Sequence, residues 1–108
     1  MPSTRSSENI IARLAGTATG EKTLLIGAHF DTVEVAPGAD DNASGVAAML
    51  EVARVLRNVQ PLISIEFVAF ALEEGAVGLF GSTQYAQAAK EKGRDLLGVI
   101  NFGYDRLL

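Results

Sequence analysis

The sequence predicts an α/β domain built on a mixed, mostly parallel sheet of about four strands with two main helices, a three-layer type of arrangement. Three observations predict it. Apolar runs of strand length recur at residues 9–14, 23–29, 63–71 and 96–102. The apolar spacing changes to a helical period at residues 44–57 and 82–92. Residues with turn chemistry fill the gaps, so the order reads β-β-α-β-α-β, and strands that alternate with helices favour parallel neighbours.

Residues 1–7 (MPSTRSS) are small and polar and are expected to be disordered, leaving residues 8–108 as a single partial domain. Residues 9–14 (NIIARL) read as a short strand. Residues 17–22 (TATGEK) read as a turn, with Gly20 as its permissive position, so the first two strands are expected to form a hairpin whose outer strand is an antiparallel edge. Residues 23–29 (TLLIGAH) read as a buried strand, and residues 30–43 as a loop rich in Asp, Gly and Pro. In the first helix Val46, Met49, Leu50, Ala53 and Leu56 make one apolar face, which is expected to be core. Residues 63–71 (ISIEFVAFA) are nearly continuous in apolar character, as in a strand covered on both faces. After a Gly-rich turn at residues 73–81, the second helix is Ala-rich, with Tyr85 as its bulky anchor and Gly93 as its stop. Residues 96–102 (LLGVINF) close the series as a last strand.

Composition narrows the function. The chain has 108 residues, 48% of them hydrophobic and 20% charged, which is globular composition rather than a disordered one. Its net charge of −4 speaks against a nucleic-acid partner, which would draw on a basic patch. There is no Cys, so disulfides, thiolate-bound zinc and thiol catalysis are excluded. The longest apolar stretch, residues 62–72, is broken by Ser64 and Glu66 and is too short to span a membrane. No membrane partner is expected. Residues 1–8 carry no apolar segment of the signal-peptide kind, and the compartment is left unassigned.

The polar residues gather just after the carboxyl ends of the predicted parallel strands. His29 and Asp31 follow the second strand, Asp40 and Asp41 precede the first helix, and Glu73 and Glu74 follow the third strand. Open α/β sheets bind ligands at this edge. Taken singly, each group has an ordinary explanation: a solvated histidine, a helix cap, a polar loop. Their convergence on one edge does not, because neighbouring carboxylates raise one another's pKa unless a cation joins them. A ligand set of imidazole and carboxylate suits zinc in a catalytic site, with manganese or cobalt as substitutes. Asp31 is placed to orient the imidazole, and one of the two adjacent glutamates could bind metal while the other acts on a water as general base.

The same residues carry a resemblance. Residues 26–31 (IGAHFD), 37–45 (PGADDNASG), the pair Glu73-Glu74 and residues 78–82 (GLFGS) together resemble the di-zinc aminopeptidases of metallopeptidase family 28, clan MH, over nearly the whole chain. The resemblance implies a zinc-dependent hydrolase that removes the N-terminal residue of a peptide. It implies two zinc ions, with His29 ligating one, Asp41 bridging both, and Glu74 ligating the second. It makes Glu73 the general base, has Asp31 hold His29, and places a cis peptide bond after Asp41. The strand order it implies is 1-3-2-4. Many members of the family are secreted or periplasmic.

Departures from the pattern shape the expectation further. The family domain is more than twice as long and supplies two more ligands, an Asp after the next strand and a distant His. Here Gly103 stands where that Asp belongs, Asp105 two residues later is the possible substitute, and His29 is the only histidine. The chain is therefore expected to be a truncated N-terminal part of the catalytic domain, incomplete as a lone enzyme. The alternative is a non-catalytic peptidase-fold protein that self-associates. Its last strand is an apolar edge, so a homo-oligomer built through exposed sheet edges is expected.

Overall fold

The computed structural model describes residues 7–18, 22–32, 38–71, 73 and 80–103. Its elements are β1 (Ile10–Leu14), β2 (Lys22–His29), α1 (Gly45–Leu56), β3 (Ser64–Phe70), α2 (Phe80–Glu91) and β4 (Asp95–Asn101). The four strands form one sheet in the order β1-β3-β2-β4, as the resemblance implies. β2 runs parallel to both β3 and β4, and β1 is the antiparallel edge. The start of the chain at residues 1–6 and most of the turn at residues 19–21 lie outside the described residues.

The hairpin expected between the first two strands does not form. β1 pairs with β3, from Ile10 opposite Ala69 to Leu14 opposite Ile65. The reason lies in β2, which is apolar on both faces and has both edges taken by β3 and β4. The chain leaving β1 is instead fastened beside the chain entering β3. Thr17 and Ala18 donate their N–H groups to the carbonyls of Pro61 and Leu62 at 2.9 and 3.0 Å. Gly16 makes this approach possible: a Cβ there would sit 2.5 Å from the carbonyl carbon of Ile63.

Alternation along β2 and β3 sends successive side chains to opposite faces, and one helix covers each. On the α1 face Ile26, Ala28, Ile65 and Phe67 are buried with Met49, and Val46, Ala53 and Leu56 pack at the margin. Leu50 departs from the expected core: it is 60% exposed. It lies about 100° around the helix from Met49, and Val52 packs against the cluster instead. On the α2 face Leu25, Val68 and Phe70 are buried with Tyr85 and Ala89. The Phe70 and Tyr85 rings meet edge to face with centroids 5.9 Å apart. Gly93 ends α2 as expected, with φ +63°, and the Gly93 and Arg94 N–H groups close on the carbonyls of Lys90 and Ala89.

The α2 face also holds a buried charge. Glu66, in the middle of β3, is 2% exposed. Its carboxylate accepts from Arg13 Nη1 at 2.6 Å, from the Tyr85 hydroxyl at 2.8 Å and from both terminal nitrogens of Arg94. Burial alone would raise the Glu66 pKa; the hydrogen bonds from Tyr85 and Arg94, with the charges beside them, outweigh it and hold the carboxyl below its ordinary value. Burial and the bond to Glu66 push the Tyr85 phenol up to about 12.

Candidate metal centre

β2 and β3 deliver their C-terminal residues to one edge, and the segments that follow them carry the polar groups. His29 is the last residue of β2. Residues 38–45 then make a wide turn from Gly38, whose φ of +82° admits few other residues, into α1. Within that turn Asp41 and Asn42 leave helical geometry, and the peptide bond between them is cis.

This turn brings Asp41 back to His29, with Oδ1 3.0 Å from Nε2. The other ring nitrogen, Nδ1, lies 3.2 Å from the main-chain carbonyl of Asp31 and 3.6 Å from its carboxylate. The carbonyl is thus the nearer partner. The Asp31 carboxylate reaches onward and accepts the Glu73 N–H at 3.0 Å. Glu73 in turn accepts, at Oε2, the N–H of Ser82 in the first turn of α2, where the unpaired amides and the helix dipole favour a carboxylate. A continuous series of contacts therefore joins Asp41, His29, Asp31 and Glu73.

The His29–Asp41 contact brings together two kinds of group that can hold a cation. Acceptors face both ring nitrogens, the Asp31 carbonyl at Nδ1 and Asp41 Oδ1 at Nε2, and the tautomer decides which nitrogen donates. Asp41 Oδ1 is buried. An imidazole nitrogen and a carboxylate oxygen thus lie 3.0 Å apart. Imidazole with carboxylate fits zinc in its donor set. Among the described residues no group of three or more His, Cys, Asp or Glu side chains is placed to hold a metal ion. Glu74 and Asp105, expected as ligand and as substitute ligand, lie outside the described residues, as does the side chain of Asp40.

Two residues that position these groups were not singled out from the sequence. Asn42 is 1% exposed, and its amide nitrogen donates to the carbonyls of His29 and Phe102. Asn9 donates to the Gly81 carbonyl at 2.8 Å and accepts the Ala71 N–H at 2.9 Å, which ties together the two ends of the segment that carries Glu73 and Glu74. The signal for Asn42 was its place beside Asp41; for Asn9, which reads as the start of a strand, there was none.

Two grooves among the described residues lie elsewhere. One, of about 490 Å³, runs between residues 7–11 and α2; the other, of about 400 Å³, runs between β1 and α1. None of His29, Asp31, Asp41 or Glu73 lines either. No helix among the described residues is long and apolar enough to cross a membrane.

Comparison with known proteins bears on the same edge. The model of Peptidase family M28 matches residues 9–104. Aminopeptidase YwaD of Bacillus subtilis is 46% identical over 69 residues, which is 64% of this chain and 15% of that protein. Among solved structures, LapB from Legionella pneumophila superposes with a TM-score of 0.79 at 34% identity, over 89% of this chain and 26% of its own. BSAP, a zinc aminopeptidase from Bacillus subtilis, superposes with a TM-score of 0.76 at 38% identity, over 86% of this chain and 23% of its own. The chain thus spans far less than two thirds of the length of each of these relatives.

Proposed function

The chain belongs to peptidase family M28, and from that premise we propose that its polar edge is part of the metal centre of a zinc-dependent aminopeptidase. The observation that carries the proposal is the approach of His29 Nε2 to the buried Oδ1 of Asp41, 3.0 Å apart at the edge where β2 and β3 end. His29 and Asp41 would hold zinc, with Asp41 shared between two ions and Glu74 serving the second. Asp105 would stand in for a ligand that the chain lacks at Gly103. Bound zinc supplies Lewis acidity toward the carbonyl of a peptide bond.

The remaining roles fall to the chain's own groups. Asp31 orients the ring of His29 through its carbonyl, 3.2 Å from Nδ1. Its carboxylate meanwhile holds the main chain at Glu73. Glu73 acts as general base. Its Oε2 accepts the Ser82 N–H at the N-terminus of α2, which orients the carboxylate. The substrate is a peptide with a free N-terminus.

Titration of the metal-stripped chain with zinc by calorimetry tests the reading. Binding in the micromolar range or tighter is expected, and Asp41→Ala should abolish it, whereas Glu73→Gln should leave it nearly intact. Unchanged zinc affinity in the Asp41 variant would exclude this assignment.

A second reading, that the chain self-associates without catalysis, draws on the β4 edge. Leu97, Val99 and Ile100 are 57, 58 and 46% exposed there, on a strand with one edge unpaired. Light scattering on the same sample decides it: a monodisperse monomer rules it out, and a defined oligomer supports it.

A further inference from the structure

We propose that Asn42 is a positioning residue of this centre, a single carboxamide that locks the end of β2 to the chain just beyond β4. This rests on the reading of His29 and Asp41 as metal ligands. Asn42 is 1% exposed. Its Nδ2 donates one hydrogen bond to the carbonyl of His29 at 3.2 Å and one to the carbonyl of Phe102 at 2.8 Å. The partners lie 13 and 60 residues away along the chain. Both are acceptors only, so the amide nitrogen must face them and the orientation of the group is fixed.

Two further features tighten the same corner. The Phe102 N–H donates to the Gly27 carbonyl at 2.8 Å, so Phe102 is held by both of its main-chain polar groups. Gly45, the first residue of α1, passes directly over the clamp: a Cβ there would come within 2.3 Å of Asn42 Oδ1 and 2.6 Å of the Phe102 carbonyl oxygen. Asn42 Oδ1 itself is buried without a partner. That orphaned acceptor costs free energy, so the value of the residue lies in its two donors.

The consequence is geometric. Asn42 follows Asp41 in the chain, grips the main chain of His29, and grips the residue from which the chain continues to Gly103 and beyond. One side chain therefore links the main chain at two donors of the centre to the main chain at Phe102, just beyond β4. Tightly held donors with fixed spacing are what a metal site requires of the residues around its ligands.

Hydrogen exchange by NMR, with zinc titration alongside, tests this on the whole chain. In the native sequence the two Asn42 carboxamide protons should exchange at least tenfold more slowly than those of the exposed Asn58. In Asn42→Ala the Phe102 amide should exchange at least tenfold faster, the His29 ring resonances should move, and zinc affinity should fall at least tenfold. Tyr85→Phe, which weakens the opposite face of the sheet, should change none of the three. The proposal is overturned if Asn42→Ala leaves Phe102 exchange within twofold of native, or if Tyr85→Phe accelerates it equally. Should the alanine variant not fold, native Asn42 protons that exchange as fast as those of Asn58 overturn it, and slow ones uphold it. Absence of zinc binding in the native chain would instead defeat the metal reading, while exchange at Phe102 and Asn42 still decides whether the clamp exists.

Discussion

The two faces of the sheet are stabilised in different ways. The α1 face is apolar throughout, with Met49 set against Ile26, Ala28, Ile65 and Phe67. The α2 face has its own apolar cluster but adds a buried carboxylate, Glu66, gripped by groups from β1, α2 and the turn between α2 and β4. Apolar packing degrades gradually when a side chain is trimmed, because neighbours relax into the space. A buried charge with several partners does not, because each partner left behind loses its counter-charge or its acceptor. The α2 face should therefore fail more sharply than the α1 face.

The largest expected effect is that of Glu66→Ala, which removes the acceptor common to Arg13, Arg94 and Tyr85. Breaking a buried ion pair from one side costs about 3–5 kcal/mol. Met49→Ala on the other face should cost about 2–3 kcal/mol, the low end for such truncations, because Met49 lines a groove into which the site can collapse. Chemical denaturation of both variants checks the order. If Met49→Ala proves the more harmful, the Glu66 network is not what distinguishes the faces.

The same contrast explains what the sequence reveals. The α1 face was legible from Val46, Met49, Ala53 and Leu56, because apolar residues at helical spacing identify their own partner, the sheet. Glu66 could be read only as an interruption in an apolar strand, since Arg13, Tyr85 and Arg94 come from three other segments and no local pattern points to them. The site divides along the same line. His29, Asp31, Asp41 and Glu73 stand in short motifs after strand ends, where the α/β arrangement brings them together. Asn9 and Asn42 act through main-chain carbonyls and amides up to 72 residues away, and a carbonyl leaves no mark on the sequence. The β1 pairing was misread for a related reason: nearness in sequence suggested a hairpin, whereas the free edge of β3 was the one available.

A smaller effect is expected from pH on the α2 face. Tyr85 binds its proton more tightly in the folded chain, with its value raised from 10.0 to about 12. The unfolded chain therefore loses this proton first as pH rises. The associated stability is complete below pH 10 and is lost progressively as pH climbs from 10 toward about 12. Glu66 acts in the opposite sense: its lowered value makes its contribution complete above the ordinary carboxylate range and lost as pH falls through that lowered value. Stability measured against pH should show the alkaline loss in the native chain and a shallower one in Tyr85→Phe. An unchanged alkaline slope in the variant would assign the loss to other groups.

The smallest effect separates sequence pattern from actual burial on the α1 face itself. Leu50 belongs to the same apolar stripe as Met49 in the sequence, yet it is 60% exposed where Met49 is 4% exposed. Transfer of apolar area out of water is what stabilises a core residue, and a side chain left mostly in water contributes little of it. Leu50→Gln should therefore alter folding stability by no more than about 0.5 kcal/mol, the range of ordinary surface changes. Leu50 does line the groove with Ile10 and Phe30, both also exposed. A loss of 2 kcal/mol or more in Leu50→Gln would mean that this groove is closed in solution, and that the α1 face owes part of its stability to whatever closes it.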